Sequence, residues 1–86
     1  MHLAMLHLAR AEERVLALFC DLAERFGHVT NDGIVIDVEL TQRLIGQLIG
    51  SRRPTVSRAL EDLSTTGTLT RTSDNRWMLN VPDILG

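Results

Sequence analysis

The chain has 86 residues and a formal net charge of −2, from nine basic and eleven acidic side chains, a size that fits one small domain. Hydrophobic residues make up 44%, which excludes wholesale disorder; a single Cys excludes an internal disulfide, and no apolar run approaches the roughly 20 residues of a membrane span. An acidic total argues at first against a nucleic-acid binder, yet every one of the nine cations is Arg, the side chain suited to bidentate recognition of phosphate and guanine.

The first apolar periodicity runs from about Ala4 to Phe26. Leu8, Ala11, Val15, Leu18, Leu22 and Phe26 recur at helical spacing, Leu16, Phe19 and Ala23 widen the stripe, and Asp21 and Arg25 sit at i,i+4 on the other side. Gly27 stands where a helix-ending glycine belongs. The N-terminus has no basic segment leading into a long apolar stretch, so it does not read as a signal peptide. Leu3, Met5, Leu6 and Leu8 add more apolar surface than so small a domain readily buries. Residues 1–9 are therefore either a frayed terminus or, the reading preferred here, the stub of a dimerisation or inter-domain helix.

Asn31-Asp32-Gly33 predicts a turn and Ile34 to Val38 a strand. Thr41 suits the N-cap of a second helix reaching about Ile49, where Gly50 breaks it. A short connection leads into a third helix, with Pro54 in its first turn, that continues to about Thr65 and ends at Gly67. Two strands follow, Leu69 to Thr72 and Arg76 to Asn80, through the turn residues Ser73-Asp74-Asn75, and Val81-Pro82-Asp83 reads as a tail.

Charge is not spread evenly. Residues 1–40 hold three Arg against seven acids; residues 41–60 hold Arg43, Arg52, Arg53 and Arg58 and no acid; residues 61–86 hold Arg71 and Arg76 against four acids. A cationic segment of +4 thus lies inside an acidic chain, although four arginines on a solvated face also arise by chance.

Two short helices joined by a tight turn, with a β-hairpin behind them, predict a winged helix-turn-helix: an α+β fold of three helices and a small antiparallel sheet, with 41–66 as the helix-turn-helix and 68–80 as the wing. Gly46 is small where the helices must approach, and Gly50 supplies positive φ for the reversal. Val56 plugs the angle between the helices, with Ile45, Ile49 and Leu60 around it.

The stretch from Leu40 to Leu60 resembles the helix-turn-helix of the Crp/Fnr family of bacterial transcription regulators. The flanking Glu13-Arg14-Val15-Leu16, Asn31-Asp32-Gly33 and Arg76-Trp77-Met78-Leu79 agree, so the likeness covers about residues 8 to 80. It implies sequence-specific binding of double-stranded DNA by a homodimer on a two-fold symmetric operator, with the helix at 52–65 in the major groove. RNA polymerase is a further implied partner, and the implied location is cytoplasmic and nucleoid-associated. By the same resemblance Arg53 and Arg58 read guanines through O6 and N7, while Gln42, Arg43 and Thr55 contact phosphates. Placement and charge add Arg52 and Ser57 to the base-reading set, and Thr41, Arg71 and Arg76 to the phosphate set.

Two departures qualify the likeness. Pro54 stands where many relatives carry a Glu that accepts a hydrogen bond from cytosine; its ring could touch only a thymine methyl, which puts the family's best-known half-site in doubt. The family's N-terminal ligand-binding β-barrel is missing, so the chain reads as an excised domain or a truncated relative. No cofactor is expected in it, and an effector such as a cyclic nucleotide would need that domain.

Plainer readings suit the remaining residues. Trp77 is read as core and not as a base-stacking platform, and Cys20 as a half-buried spectator. His2, His7 and His28 lack metal-ligand spacing, and no catalytic arrangement appears, so neither a metal site nor an enzyme is expected. The rival to DNA binding is a winged-helix module for protein interaction or dimerisation, working through its acidic first helix.

Overall fold

The computed structural model describes the backbone of residues 2–80 and the side chains of residues 10–80. Its elements are α1 (His2–Phe26), β1 (Gly27–Val29), β2 (Ile34–Ile36), α2 (Gln42–Ile49), α3 (Arg53–Thr65), β3 (Leu69–Arg71) and β4 (Trp77–Leu79). Three helices thus pack with one antiparallel sheet in the order β1-β2-β4-β3, the α+β architecture expected from the pattern. The side chains of the expected N-terminal stub and the tail at 81–83 lie outside the described residues.

The helical stripe of α1 is narrower than its sequence period suggests. Ala11, Val15 and Phe19 are buried, Leu16, Leu18, Leu22 and Ala23 pack at the margin, and Phe26 is 47% exposed. Cys20 is exposed, not half-buried, because it lies on the far side of the helix from Val15 and Phe19.

Gly27 does not end α1 through a left-handed cap. It enters β1 directly, and a Cβ there would meet Ala23 O at 2.1 Å and Ile34 Cγ2 at 2.8 Å, so close approach is what requires glycine. β1 was not expected. It pairs with β2 through Gly27↔Ile36 to Val29↔Ile34, around a turn closed by Thr30 N–H to Gly33 O at 2.8 Å.

The remaining strands place alternate residues on the helical layer. Ile36 lies opposite Trp77, Ile34 opposite Leu79, and Leu79 opposite Leu69; Ile36, Trp77, Leu79 and Leu69 are buried while Val35 and Met78 stay at the margin. Trp77 is core, as read from the sequence. Its ring meets Phe19 edge-on at 5.5 Å, and its indole N–H donates to Leu40 O at 3.2 Å.

The helix-turn-helix follows the expected spacing. Thr41 Oγ accepts from Leu44 N–H at 3.1 Å and caps α2. A Cβ on Gly46 would sit 2.9 Å from Ser51 O and 3.3 Å from Val56 Cγ2, so a larger residue would force α2, the turn and α3 apart. Ile45, Val56, Ala59, Leu60 and Leu63 close the core beneath. Gly50 has φ 71°, with open space where a Cβ would go, so Gly50→Ala costs conformational energy and no clash. Urea denaturation of that variant is expected to show a loss of about 1–2 kcal/mol, and an unchanged midpoint would mean that the turn relaxes out of the left-handed region.

Candidate nucleic-acid interface

The face of α3 opposite its buried residues is built by helical period. Val56, Ala59, Leu60 and Leu63 face the core, which turns Arg53, Pro54, Ser57 and Arg58 outward as two i,i+4 pairs, while Thr55 is half-buried at the flank. Pro54 lies in the first turn, where its missing N–H costs nothing. Arg52 occupies the N-cap without making a side-chain capping bond. The first turn of α3 also holds no acid, so no side chain of its own meets the positive end of the helix dipole.

Arg58 pairs with Asp62, one turn further along α3, at 4.0 Å, with 64% of its side chain exposed. An exposed pair of that length holds little energy and leaves the guanidinium available.

Beside α3, the start of α2 and the hairpin of β3 and β4 enclose a cleft of about 520 Å³, lined by Glu39, Leu40, Thr41, Gln42, Arg43, Arg53, Arg71 and Asn75. A smaller hollow of about 210 Å³ continues from it past Gln42, Arg43, Gly46, Gln47, Ser51 and Arg53. The structure therefore brings together five of the expected site residues: Thr41, Gln42, Arg43, Arg53 and Arg71. Thr41 spends an oxygen lone pair on its cap but keeps its hydroxyl proton for an acceptor outside.

Arg71 is the most firmly held of the group. Its guanidinium lies over the Trp77 ring, 3.9 Å from the centroid, and one nitrogen donates to both Asn75 O and Asn75 Oδ1 at 3.0 and 2.9 Å. Asn75 can accept this way because it takes φ 67° in the turn between the strands, a left-handed conformation that Asn tolerates. In the same turn the Thr72 hydroxyl donates to Asp74 and holds that carboxyl below its ordinary pKa.

Arg76 does not line the cleft: its guanidinium pairs with Asp37 Oδ1 at 3.2 Å, from the residue just before β4 to the loop after β2. Sequence reasoning missed Glu39, Gln47, Ser51 and Asn75. Gln47 alone had a readable signal, a polar residue at an outward position of α2. Glu39 is the one acid among these lining residues, beside Arg43, Arg53 and Arg71. Among the described residues no group of three or more His, Cys, Asp or Glu could hold a metal ion, and no helix is long and apolar enough to cross a membrane.

A helix-turn-helix with an exposed arginine-bearing second helix and a β-hairpin beside it defines a winged helix-turn-helix domain. The model of the Crp-like helix-turn-helix domain matches residues 13–85, and the chain belongs to that family. A global nitrogen regulator from Synechococcus elongatus is 42% identical over 50 residues, 58% of this chain and 22% of the regulator.

Among solved structures, reduced CprK without ligand superposes with a TM-score of 0.73 at 28% identity, covering 87% of this chain and 36% of CprK. The reduced CO-sensing protein from R. rubrum gives 0.73 at 25% identity, covering 93% of this chain and 36% of that protein. The chain thus spans about a fifth to a third of the length of these relatives.

Proposed function

We propose that this chain is the DNA-reading part of a transcription regulator, binding double-stranded DNA with α3 in the major groove. The observation that carries the reading is the outward face of α3, where Arg53 and Arg58 stand clear of the core with Arg43 and Arg71 flanking them. Arg53 and Arg58 are assigned to guanine edges, with Arg52, Pro54 and Ser57 completing the base-reading set. Thr41, Gln42, Arg43, Thr55 and Arg71 are assigned to phosphates on either side. Arg76 joins them by exchanging Asp37 for a phosphate, at little cost for a pair so exposed.

Two copies on a two-fold symmetric operator, in the cytoplasm and in contact with RNA polymerase, complete the proposal. The regulators among the relatives support that picture, as does a fold whose paired recognition helices sit about one DNA turn apart in such dimers.

A gel shift on random-sequence duplex tests the core of the reading. Affinity is expected to fall about tenfold or more between low and physiological salt, since each phosphate contact releases counterions. The double variant Arg53→Ala/Arg58→Ala is expected to lose binding. A flat salt response, or binding untouched by the double substitution, would overturn DNA recognition and favour the protein-interaction module.

A further inference from the structure

The end of α2 has no basic residue of its own to meet the negative pole of the helix dipole. Its reversal is tight: Gly50 takes the left-handed conformation, and the N–H groups of Gly50 and Ser51 both return to Gly46 O. The last carbonyl, Ile49 O, is met from a different helix. Arg14, on α1, donates from its guanidinium to Ile49 O at 3.2 Å across 35 residues of sequence. The neighbour of Arg14 in α1 is Val15, which is wholly buried, so the backbone carrying the guanidinium is anchored in the core one residue away.

This bond sits four residues before Arg53, at the point where the chain turns from α2 into α3. We infer that Arg14 is a positioning residue: it pins α1 to the turn of the helix-turn-helix and so sets the angle at which Arg52 and Arg53 are presented. Its functional half rests on the DNA-binding reading.

The side chain is exposed, so water competes for both partners and the bond adds little to the free energy of folding. Its effect is geometric. On this inference, a sliding or rolling of α1 against α2 would stretch this contact and shift the start of α3 with it. The charge also acts where it is strongest, because the carbonyl and the guanidinium are complementary at the last turn of the helix.

Three variants test this: Arg14→Met, Arg14→Lys and Arg25→Met. The last removes the same charge from the same helix, but from a pair with Asp21 and not from the turn. Amide hydrogen exchange in the DNA-free protein is expected to speed up at Gly50 to Arg53 in Arg14→Met alone, with the thermal midpoint little changed. On random duplex DNA, Arg14→Met is expected to bind ~3- to 10-fold more weakly than Arg25→Met. Arg14→Lys, which can still donate to Ile49 O, should recover most of the loss.

Equal weakening by Arg14→Met and Arg25→Met would reduce the effect to net charge and overturn the inference. So would unaltered exchange at the turn. If the wild-type chain binds no DNA, the DNA reading fails, while the exchange data still decide whether Arg14 holds the turn.

Discussion

Replacing Arg58 by Ala is expected to weaken specific DNA binding by about 1–3 kcal/mol and to relax the sequence preference at one operator position. The magnitude follows from what is lost. A guanidinium aimed at a guanine edge donates two parallel hydrogen bonds, and Ala leaves O6 and N7 facing nothing.

A second effect runs in the same direction. Asp62 is the acid that Arg58 pairs with at 4.0 Å, and without Arg58 its carboxylate is left uncompensated beside the face proposed to meet DNA. Arg58→Lys keeps the charge and so should keep the salt dependence, but a point charge cannot make the bidentate contact, so base preference should still relax.

Arg43→Ala is the contrasting case. Arg43 lines the cleft and not the outward face of α3, so its loss should weaken all sequences alike and lower the salt slope by about one contact. Selection of bound sites from a random DNA library, run in parallel for wild type and the variants, separates these outcomes. An Arg58→Ala protein that selects the same sites as wild type would remove Arg58 from the reading set.

The helix-turn-helix was accessible because it is written locally. Thr41, Gly46, Gly50 and Val56 fall within sixteen residues, and each acts on neighbours a turn or two away: the cap on Leu44 N–H, the glycines on the reversal, and the valine on the space Gly46 leaves. The cationic segment was equally legible once the net charge of −2 was resolved along the chain. Its four arginines all emerge exposed.

What the sequence concealed depends on partners far away along the chain. β1 consists of Gly27, His28 and Val29, all exposed and without alternation, and it is a strand only because Ile34 to Ile36 returns beside it. The bonds Arg14 to Ile49, Arg76 to Asp37 and Trp77 to Leu40 span 35, 39 and 37 residues, and no spacing rule announces them. Arg71 shows the same limit at shorter range. Its place over the Trp77 ring comes from the β3–β4 register, which sets Arg71 directly across from Trp77, and from the left-handed turn at Asn75. An arginine that would pass for a solvated hairpin cation is thereby held in a fixed orientation beside the cleft, so the phosphate contact proposed for it would cost less conformational entropy.

The same ring connects the wing to the stability of the whole fold. Phe19 is fully buried, and its ring meets Trp77 at 5.5 Å with the planes 65° apart, so one aromatic pair joins α1 to the sheet. Phe19→Ala is expected to cost about 3–5 kcal/mol through lost burial and the cavity left behind. Chains of this size are stable by roughly 0.05–0.15 kcal/mol per residue, so the loss takes a large share of the total. Phe19→Leu fills more of the volume than Ala but still loses the aromatic contact, and should cost less than Phe19→Ala.

The sole Trp makes the measurement direct, because it is the partner ring. Its emission should shift to the red at a lower urea concentration in Phe19→Ala, with Phe19→Leu in between. The consequence should reach the site. With that contact gone, Trp77 no longer holds a fixed platform, and Arg71 loses the ring it lies on at 3.9 Å. Under conditions where the variant remains folded, its DNA affinity should fall as Arg71→Ala does in the wild-type background, and combining the two substitutions should cost less than the sum of their separate effects. Full additivity would show that the aromatic pair supports the core alone and does not orient the wing.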